Sequence, residues 1–393
     1  MIGQARAAHP SIKLNGFEYF NKLEPYFLTL HYVDSCDGEK ADDLQLQLAD
    51  RDNHFISDWM PSKGVYLDVG IVAERWYSPN AAMLTLDCGR LWIDEIEAEL
   101  PQHTVSIKAT SIPTSSYLKS TDETRGWENH TLRDIAQQIV GEQQAAGTDI
   151  TLDYRAQFNP LYSHVEQTEQ SSLEFIMHRC RDANLAVKLH RGLLIIFDNE
   201  EIEATPPSFG IVYGNNAPVP GLPCYRMSGG KFVTRLNDTL HQATVAHVDP
   251  ASGKAHYSTA IAGDNDAEAD WHTNVSQSTD SADEEDGSDG EGGGLMRHAM
   301  PRDTPPPEGD WGASGGSATQ MRLAKSTLRR RNKDQIHGDI DLSLGCPLVA
   351  SGQTFTLSGV GNYDGKWFLE SAEHKCGPMF TTTLKARKCL VGY

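Results

Sequence analysis

The chain has 393 residues and a formal charge of −20, with 39% hydrophobic residues, enough for two or three domains that each have a core. That charge disfavours a nonspecific grip on nucleic-acid phosphates, so no specific nucleic acid is expected as partner. No apolar run approaches the ~20 residues of a membrane-spanning helix, so no membrane insertion is expected, and no opening stretch reads as a signal peptide.

Residues 1–110 read as strands. Tyr26–Val33 is the first, and Asp42–Ala49 alternates cleanly between Leu and polar residues. Val65–Val69 is another, bounded by Gly64 and Gly70. Trp92–Ile96 and Thr104–Ala109 form a hairpin about Pro101. Strands at such short spacing predict a small antiparallel barrel or sandwich.

The grammar changes after Pro113. Leu132, Ile135, Ala136, Ile139 and Val140 fall at helical spacing behind Thr131 as N-cap. A second helix opens with Ser171-x-x-Glu174 and buries Leu173, Ile176, Met177 and Cys180, with Asn184 closing it in the left-handed conformation. Ala186–Leu189 and Leu193–Phe197 form a hairpin about His190-Arg191-Gly192, so 111–205 is a compact α+β unit.

Strand grammar resumes in 206–393, the predicted second barrel. Ala243–Val248 pairs with Ala255–Ile261. Between Gly263 and Glu291 stand eleven acids (264, 266, 268, 270, 280, 283, 284, 285, 286, 289 and 291) and no Lys or Arg. The stretch 263–317 is expected to be an exposed, flexible acidic insertion, because it has too little apolar surface to offset chain entropy. A peripheral solvating loop and a dock for a basic neighbour are both open to it, and replacing 264–316 by a short linker would separate them. Thr319–Lys333 predicts a helix with the thin stripe Met321, Ala324 and Leu328, and strands follow through Thr354–Ser358, an Asn362-Tyr363-Asp364-Gly365 turn, Trp367–Ala372 and Thr381–Lys385.

No residue set argues for catalysis, cofactor or metal. His178 and Cys180, two apart on a helix, do not face one another. His241, His247 and His256 near Asp249 lack ligand spacing. Asp280–Glu291 lacks the alternating calcium-loop pattern, and Gly359-x-Gly361 stands in no strand–loop–helix unit. Seven cysteines without a CxxC pair suit a reducing cytosol, and the sequons at Asn129, Asn237 and Asn274 read as chance. The one basic concentration, Arg322, Lys325, Arg329, Arg330, Arg331 and Lys333, reads first as a solvated helix face, with contact to an acidic partner, or to the acidic insertion itself, as the sharper alternative.

The order of these pieces resembles the late control gene D family, the baseplate hub proteins of contractile-tailed phages. Related hubs occur in R-type pyocins and in type VI secretion spike proteins. The resemblance runs through Leu91–Glu97, Thr104–Ala109, Ser171–Cys180, Leu185–Phe197, Ala246–Lys254 (the turn between two strands of the second barrel), Ala324–Arg329, His337–Gly352 and Gly359–Lys366. Asn184 stands where the family often has Gly, and the acidic insertion is unusually long. The resemblance implies two tube-type barrels flanking the α+β unit. It also implies a homotrimeric ring, pseudo-sixfold, that adapts a threefold spike to a sixfold tail tube without an active site. Implied partners are further copies of itself, a separate spike protein (the chain stops at Tyr393), the tail tube, and other baseplate proteins, with the tape measure a further candidate. The implied place is the virion tail baseplate, assembled in the host cytoplasm. The readings from other classes are a tail-associated cell-wall hydrolase, marked by a carboxylate or Cys–His constellation on a cleft, and a carbohydrate-binding barrel, marked by exposed aromatics among Trp59, Trp76, Trp127 and Trp271.

Overall fold

The structure is a computed structural model that describes residues 5–36, 41–57, 64–112, 118, 121–235, 240, 242–248, 255–261 and 312–390. For residues 312–321 and most of 244–261 it describes the backbone alone. Most of the acidic stretch, 262–311, lies outside the described residues, as do Trp59 and Trp271.

The first segment supplies β1 (Ala7–Leu14), β2 (Phe17–Glu18), helix α1 (Phe20–Leu23), β3 (Phe27–Ser35), β4 (Asp43–Ala49), helix α2 (His54–Ser57), β5 (Tyr66–Glu74), β6 (Leu84–Glu99) and β7 (Thr104–Thr110). Six of these strands run β3-β4-β7-β6-β5-β1 around one core. Alternation does the sorting: Leu44, Leu46 and Leu48 of β4 are all buried, while the intervening Gln45 and Gln47 stay at least partly in water. Gly70 does not end its strand. β5 passes through it with a register shift between Val69 and Gly70, because a Cβ there would stand 3.0 Å from the Leu86 carbonyl and only Gly lets β6 come so near.

The middle segment carries β8 (Asp122–Thr131), α3 (Leu132–Ala145), β9 (Thr151–Tyr154), β10 (Leu161–Ser171), α4 (Ser172–Asp182), β11 (Leu185–His190), β12 (Leu193–Asp198) and α5 (Asn199–Ala204). Thr131 and Asp134 form a reciprocal capping box, and the five apolar residues predicted for α3 are all fully buried. On α4 the buried stripe takes in Phe175, and Met177 is only half-buried. Asn184 adopts φ 58°, and Arg191 and Gly192 adopt φ 54° and 71° in the tight turn between β11 and β12. Strands β8, β9 and β10 gave no clear signal in the sequence. β8 (DETRGWENHT) is polar nearly throughout and buries only Trp127.

The last segment supplies β13 (Phe209–Tyr213), β14 (Cys224–Thr234), β15 (Gln242–Val248), β16 (Ala255–Ile261), α6 (Gly312–Asn332), β17 (Ile336–Leu342), β18 (Thr354–Ser358), β19 (Gly365–Cys376) and β20 (Thr381–Lys388). Strands β18-β13-β14-β17-β20-β19 close on themselves through a β18–β19 ladder, a six-stranded barrel around Phe355, Leu357, Trp367 and Leu384. The mainly β class holds, and the barrel departs from antiparallel pairing at β13, which runs parallel to both β14 and β18. Two expectations are corrected. β15 and β16 pair with each other as predicted but not with the barrel; they form a separate two-stranded sheet whose Ala243, Val245 and Ala260 pack on Ala324 and Leu328 of α6. That helix also begins at Gly312, inside the stretch assigned to the insertion.

The two strand sets are one continuous sheet. Leu369 of β19 pairs within the barrel, while Ser371–Cys376 pairs with Leu30–Ser35 of β3. Cys376 and Phe380 therefore belong to the core of the first set. Trp76 reinforces the seam: its indole donates to the Gly345 carbonyl at 2.5 Å and its ring lies 5.4 Å from that of Phe380.

Candidate functional site: the buried polar junction

Where β3, β11 and the loop before β18 meet, a set of ionisable side chains is largely withdrawn from water, with His190 keeping 21% exposure. Asp34, the penultimate residue of β3, is 3% exposed; Asp42 precedes β4 and is fully buried. Lys188 and His190 reach them from β11, because alternation along that strand sends Leu185, Val187 and Leu189 to the helical core and Ala186, Lys188 and His190 to the opposite face. The Lys188 ammonium donates to Asp34 Oδ1 and to Ser351 Oγ, and the Ser351 amide donates to Asp34 Oδ2 at 2.7 Å. His190 Nδ1 donates to Asp42 Oδ2 at 2.6 Å; facing a carboxylate, that nitrogen carries the proton. Asp42 also accepts from Tyr32 Oη at 3.2 Å and from the Ser35 amide at 3.0 Å.

Burial alone would push the Asp34 carboxyl up, but the Lys188 charge and its hydrogen bond hold it below the ordinary value. Burial would depress Lys188, and Asp34 and Asp42 raise it instead. Tyr32 is pushed well up, first by burial and then by Asp42. Asp34, Asp42 and His190 bring ligand-type atoms within 4.8 Å of one another, a spacing a metal ion could use. The donor set does not fit one: a lysine ammonium already sits on Asp34, and His190 spends its Nδ1 proton on Asp42. The group is a charge lock that fastens the middle segment to both strand sets.

A second lock lies at α5. Glu203, 7% exposed, accepts from Arg329 at 2.9 Å, from Arg387 at 2.6 Å and from the Leu390 amide at 2.9 Å. Burial would raise its carboxyl, and Arg387 and Arg329 hold it below the usual range. Arg322 donates to Asp198 at 2.9 Å, and Lys325 lies 3.6 Å from Glu200. The basic concentration is therefore not one solvated face: Arg322, Lys325 and Arg329 meet acids of the same chain, on α5 and at its N-cap Asp198. The sequence holds the signal on both sides (Asn199-Glu-Glu-Ile-Glu203 and the α6 basics), but nothing in it pairs stretches over a hundred residues apart.

Two clefts flank these locks. One, of about 630 Å³, lies between β1, β5, β6 and the β11–β12 turn. Its charges cancel, since Arg90 pairs with Asp68 and Asp149, and Arg191 with Asp87. The other, of about 400 Å³, lies between α4, β11, the C-terminal end of α6 and β19–β20.

His178 and Cys180 stand as ordinary helix residues: Cys180 is fully buried with its thiol pushed up by burial, and His178 Nδ1 lies 2.9 Å from Arg179. His241 and Asp249 lie outside the described residues; His247 and His256 are register partners whose side chains are not described. Asp280–Glu291 lies outside them too. Gly359 and Gly361, at φ 93° and 68°, serve the β18–β19 turn. Trp76 and Trp127 are buried, so neither offers a sugar a stacking face. The junction of Asp34, Asp42, Lys188 and His190 was missed altogether, since its members fall at no motif spacing.

No protein-family model matches the chain, and no curated protein matches its sequence. Solved structures do. The 43 kDa tail protein of prophage MuSo2 from Shewanella oneidensis aligns with a TM-score of 0.60 at 10% identity, over 97% of this chain and 98% of that one. A tail protein from Neisseria meningitidis gives 0.60 at 11% identity, over 97% and 96%. An E. coli component of the type VI secretion system, described as structurally similar to T4 bacteriophage tail proteins, gives 0.54 at 11% identity, over 97% and 78%. At such identities the match is one of fold, and it extends along nearly the whole chain: the protein has the fold of phage tail proteins and of a type VI secretion component.

Proposed function

We propose that this protein is a structural hub subunit of the baseplate of a contractile phage tail or tail-like particle, working as a homotrimeric ring without catalysis of its own. The observation that carries this reading is the fusion of two six-stranded sets into one sheet through β19 and β3. Three such chains in a ring offer six strand sets, which suits an adaptor between a threefold spike and a sixfold tube. The alignment with two tail proteins over nearly their whole lengths supports the same reading. Exposed apolar side chains also border the seam between the sets: Leu28, Tyr77, Leu348 and Met379 are 38%, 45%, 52% and 71% exposed. Tyr77 donates to Cys346, two residues before Leu348, and Gly377, two residues before Met379, lies beside the Leu28 main chain. Apolar surface of this kind is what an obligate interface covers.

The partners under this reading are two further copies, a separate spike, the tube and neighbouring baseplate proteins, in a virion tail assembled in the host cytoplasm. Native mass spectrometry tests it. A trimer is expected at micromolar concentration or on addition of spike, and the double substitution Leu348→Glu, Met379→Glu should give folded monomers. A wild-type chain that stays monomeric with the spike present, or peptidoglycan cleavage by the pure protein, would refute it.

A further inference from the structure

Strand β11 has a free edge. In its sheet the order is β11-β12-β9, so β11 pairs on one side only. The Ile196 carbonyl accepts the amides of Arg155 and Ala156 at 2.8 and 3.3 Å, so it faces β9. Val187, opposite Ile196 in the antiparallel register, therefore turns its own amide and carbonyl away from β12. Leu189, two residues on, agrees: its outward carbonyl accepts Ser111 Oγ at 2.9 Å. Val187 has no such help. Among the described residues its amide and carbonyl have no hydrogen-bond partner, although the residue is 5% exposed. An unpaired main-chain amide and carbonyl on a cleft wall are open to a further strand.

This edge forms one wall of the 400 Å³ cleft, where Leu185 and Val187 face Arg330 and Lys333 of α6, with Arg181 of α4 and Arg387 of β20 also lining it and Asp334 the one lining acid. Two buried donors on the lining are unpartnered, Arg387 Nη1 and Asn184 Nδ2; the Arg387 side chain is 3% exposed. Arg330 is held below its ordinary value first by burial and then by Arg181 and Arg331, with Asp182 opposing, while Arg387 already meets Glu203 and Glu370 through its other nitrogens.

We propose that the cleft takes a short, extended acidic peptide of a partner chain, which adds as a strand to the β11 edge and sets its carboxylates against Arg181, Arg330 and Arg387. A small anion would satisfy the orphaned donors but not the Val187 carbonyl. A strand offers both an acceptor and a donor at ladder spacing, with side chains alternating toward pockets. This surface is separate from the apolar seam, and the proposal stands whether or not the chain forms a ring.

The test is titration of the full chain with a fluorescein-labelled octapeptide of alternating Val and Glu. Binding is expected. A Val/Gln analogue should bind at least tenfold more weakly, Arg181→Glu and Arg330→Glu should each weaken binding about tenfold, and exchange of the Val187 amide should slow in the complex. N-methylation of the central peptide residues, which removes ladder donors and leaves the charge, should abolish binding. No binding, equal binding of the N-methylated peptide, or unchanged exchange at Val187 would overturn the proposal. Binding that appears only after deletion of residues 264–291 would overturn it too, since the occupant would then be the chain's own acidic stretch.

Discussion

Replacing Glu203 by Gln keeps the shape of the side chain and removes its charge. Arg329 and Arg387 would then share a neutral amide while 6% and 3% exposed, with Glu370, 3.3 Å from Arg387, the remaining carboxylate beside them. Breaking a buried pair in this way costs about 3–5 kcal/mol, because the surviving charge keeps its desolvation penalty. For a unit of 150–250 residues that corresponds to a fall in Tm of roughly 6–20 °C. The dependence on pH is the stricter check. Glu203 has a folded pKa below its unfolded value, so its contribution is fully present above the unfolded value of about 4.3 and fades as pH falls through the folded one. Wild type and Glu203→Gln should therefore differ most at pH 7 and converge below pH 4. Hydrogen exchange at α5, α6 and β20, run beside calorimetry, would localise the loss in a chain of several cores. A triple variant, Glu203→Leu with Arg329→Met and Arg387→Met, should recover most of the stability. A difference at pH 7 below ~1 kcal/mol, or one that persists unchanged at pH 3, would refute the buried-lock account.

Three further outcomes are expected. Gly345→Ala puts a Cβ 2.5 Å from the Phe380 ring, so it should cost about 1–3 kcal/mol and quench or shift Trp76 fluorescence; an unchanged spectrum and melting curve would count against a tight seam. Asn184→Gly should be neutral or better, whereas Asn184→Ala should cost about 1 kcal/mol in chemical denaturation, since φ is 58° there. Of the seven cysteines, all free, five are buried, and Cys389, half-buried, has its thiol pushed up to about 12 by burial, so a thiol reagent at pH 8 should label Cys224 first; fast labelling of Cys36 would show an open junction.

Sequence alone determined the local elements wherever one face is buried and the other wet. The Leu44, Leu46, Leu48 alternation, the Thr131 cap with its apolar stripe, and the left-handed Asn184 all stand where periodicity and capping put them. These signals are local: a side-chain period and a cap span a turn or two of chain. Strand β8 escaped notice because a polar strand paired along one side leaves no alternation to read. Tertiary structure decided the rest. The sequence does not say that β19 is long enough to serve two cores, that β13 runs parallel to its neighbours, or that β15 and β16 leave the barrel for α6. Nor does it say that Lys188 meets Asp34 across 154 residues, or that the α6 basics find α5. Pairing across such distances depends on which edges and charges remain unsatisfied once the local elements have formed, and that is settled only when the elements pack together.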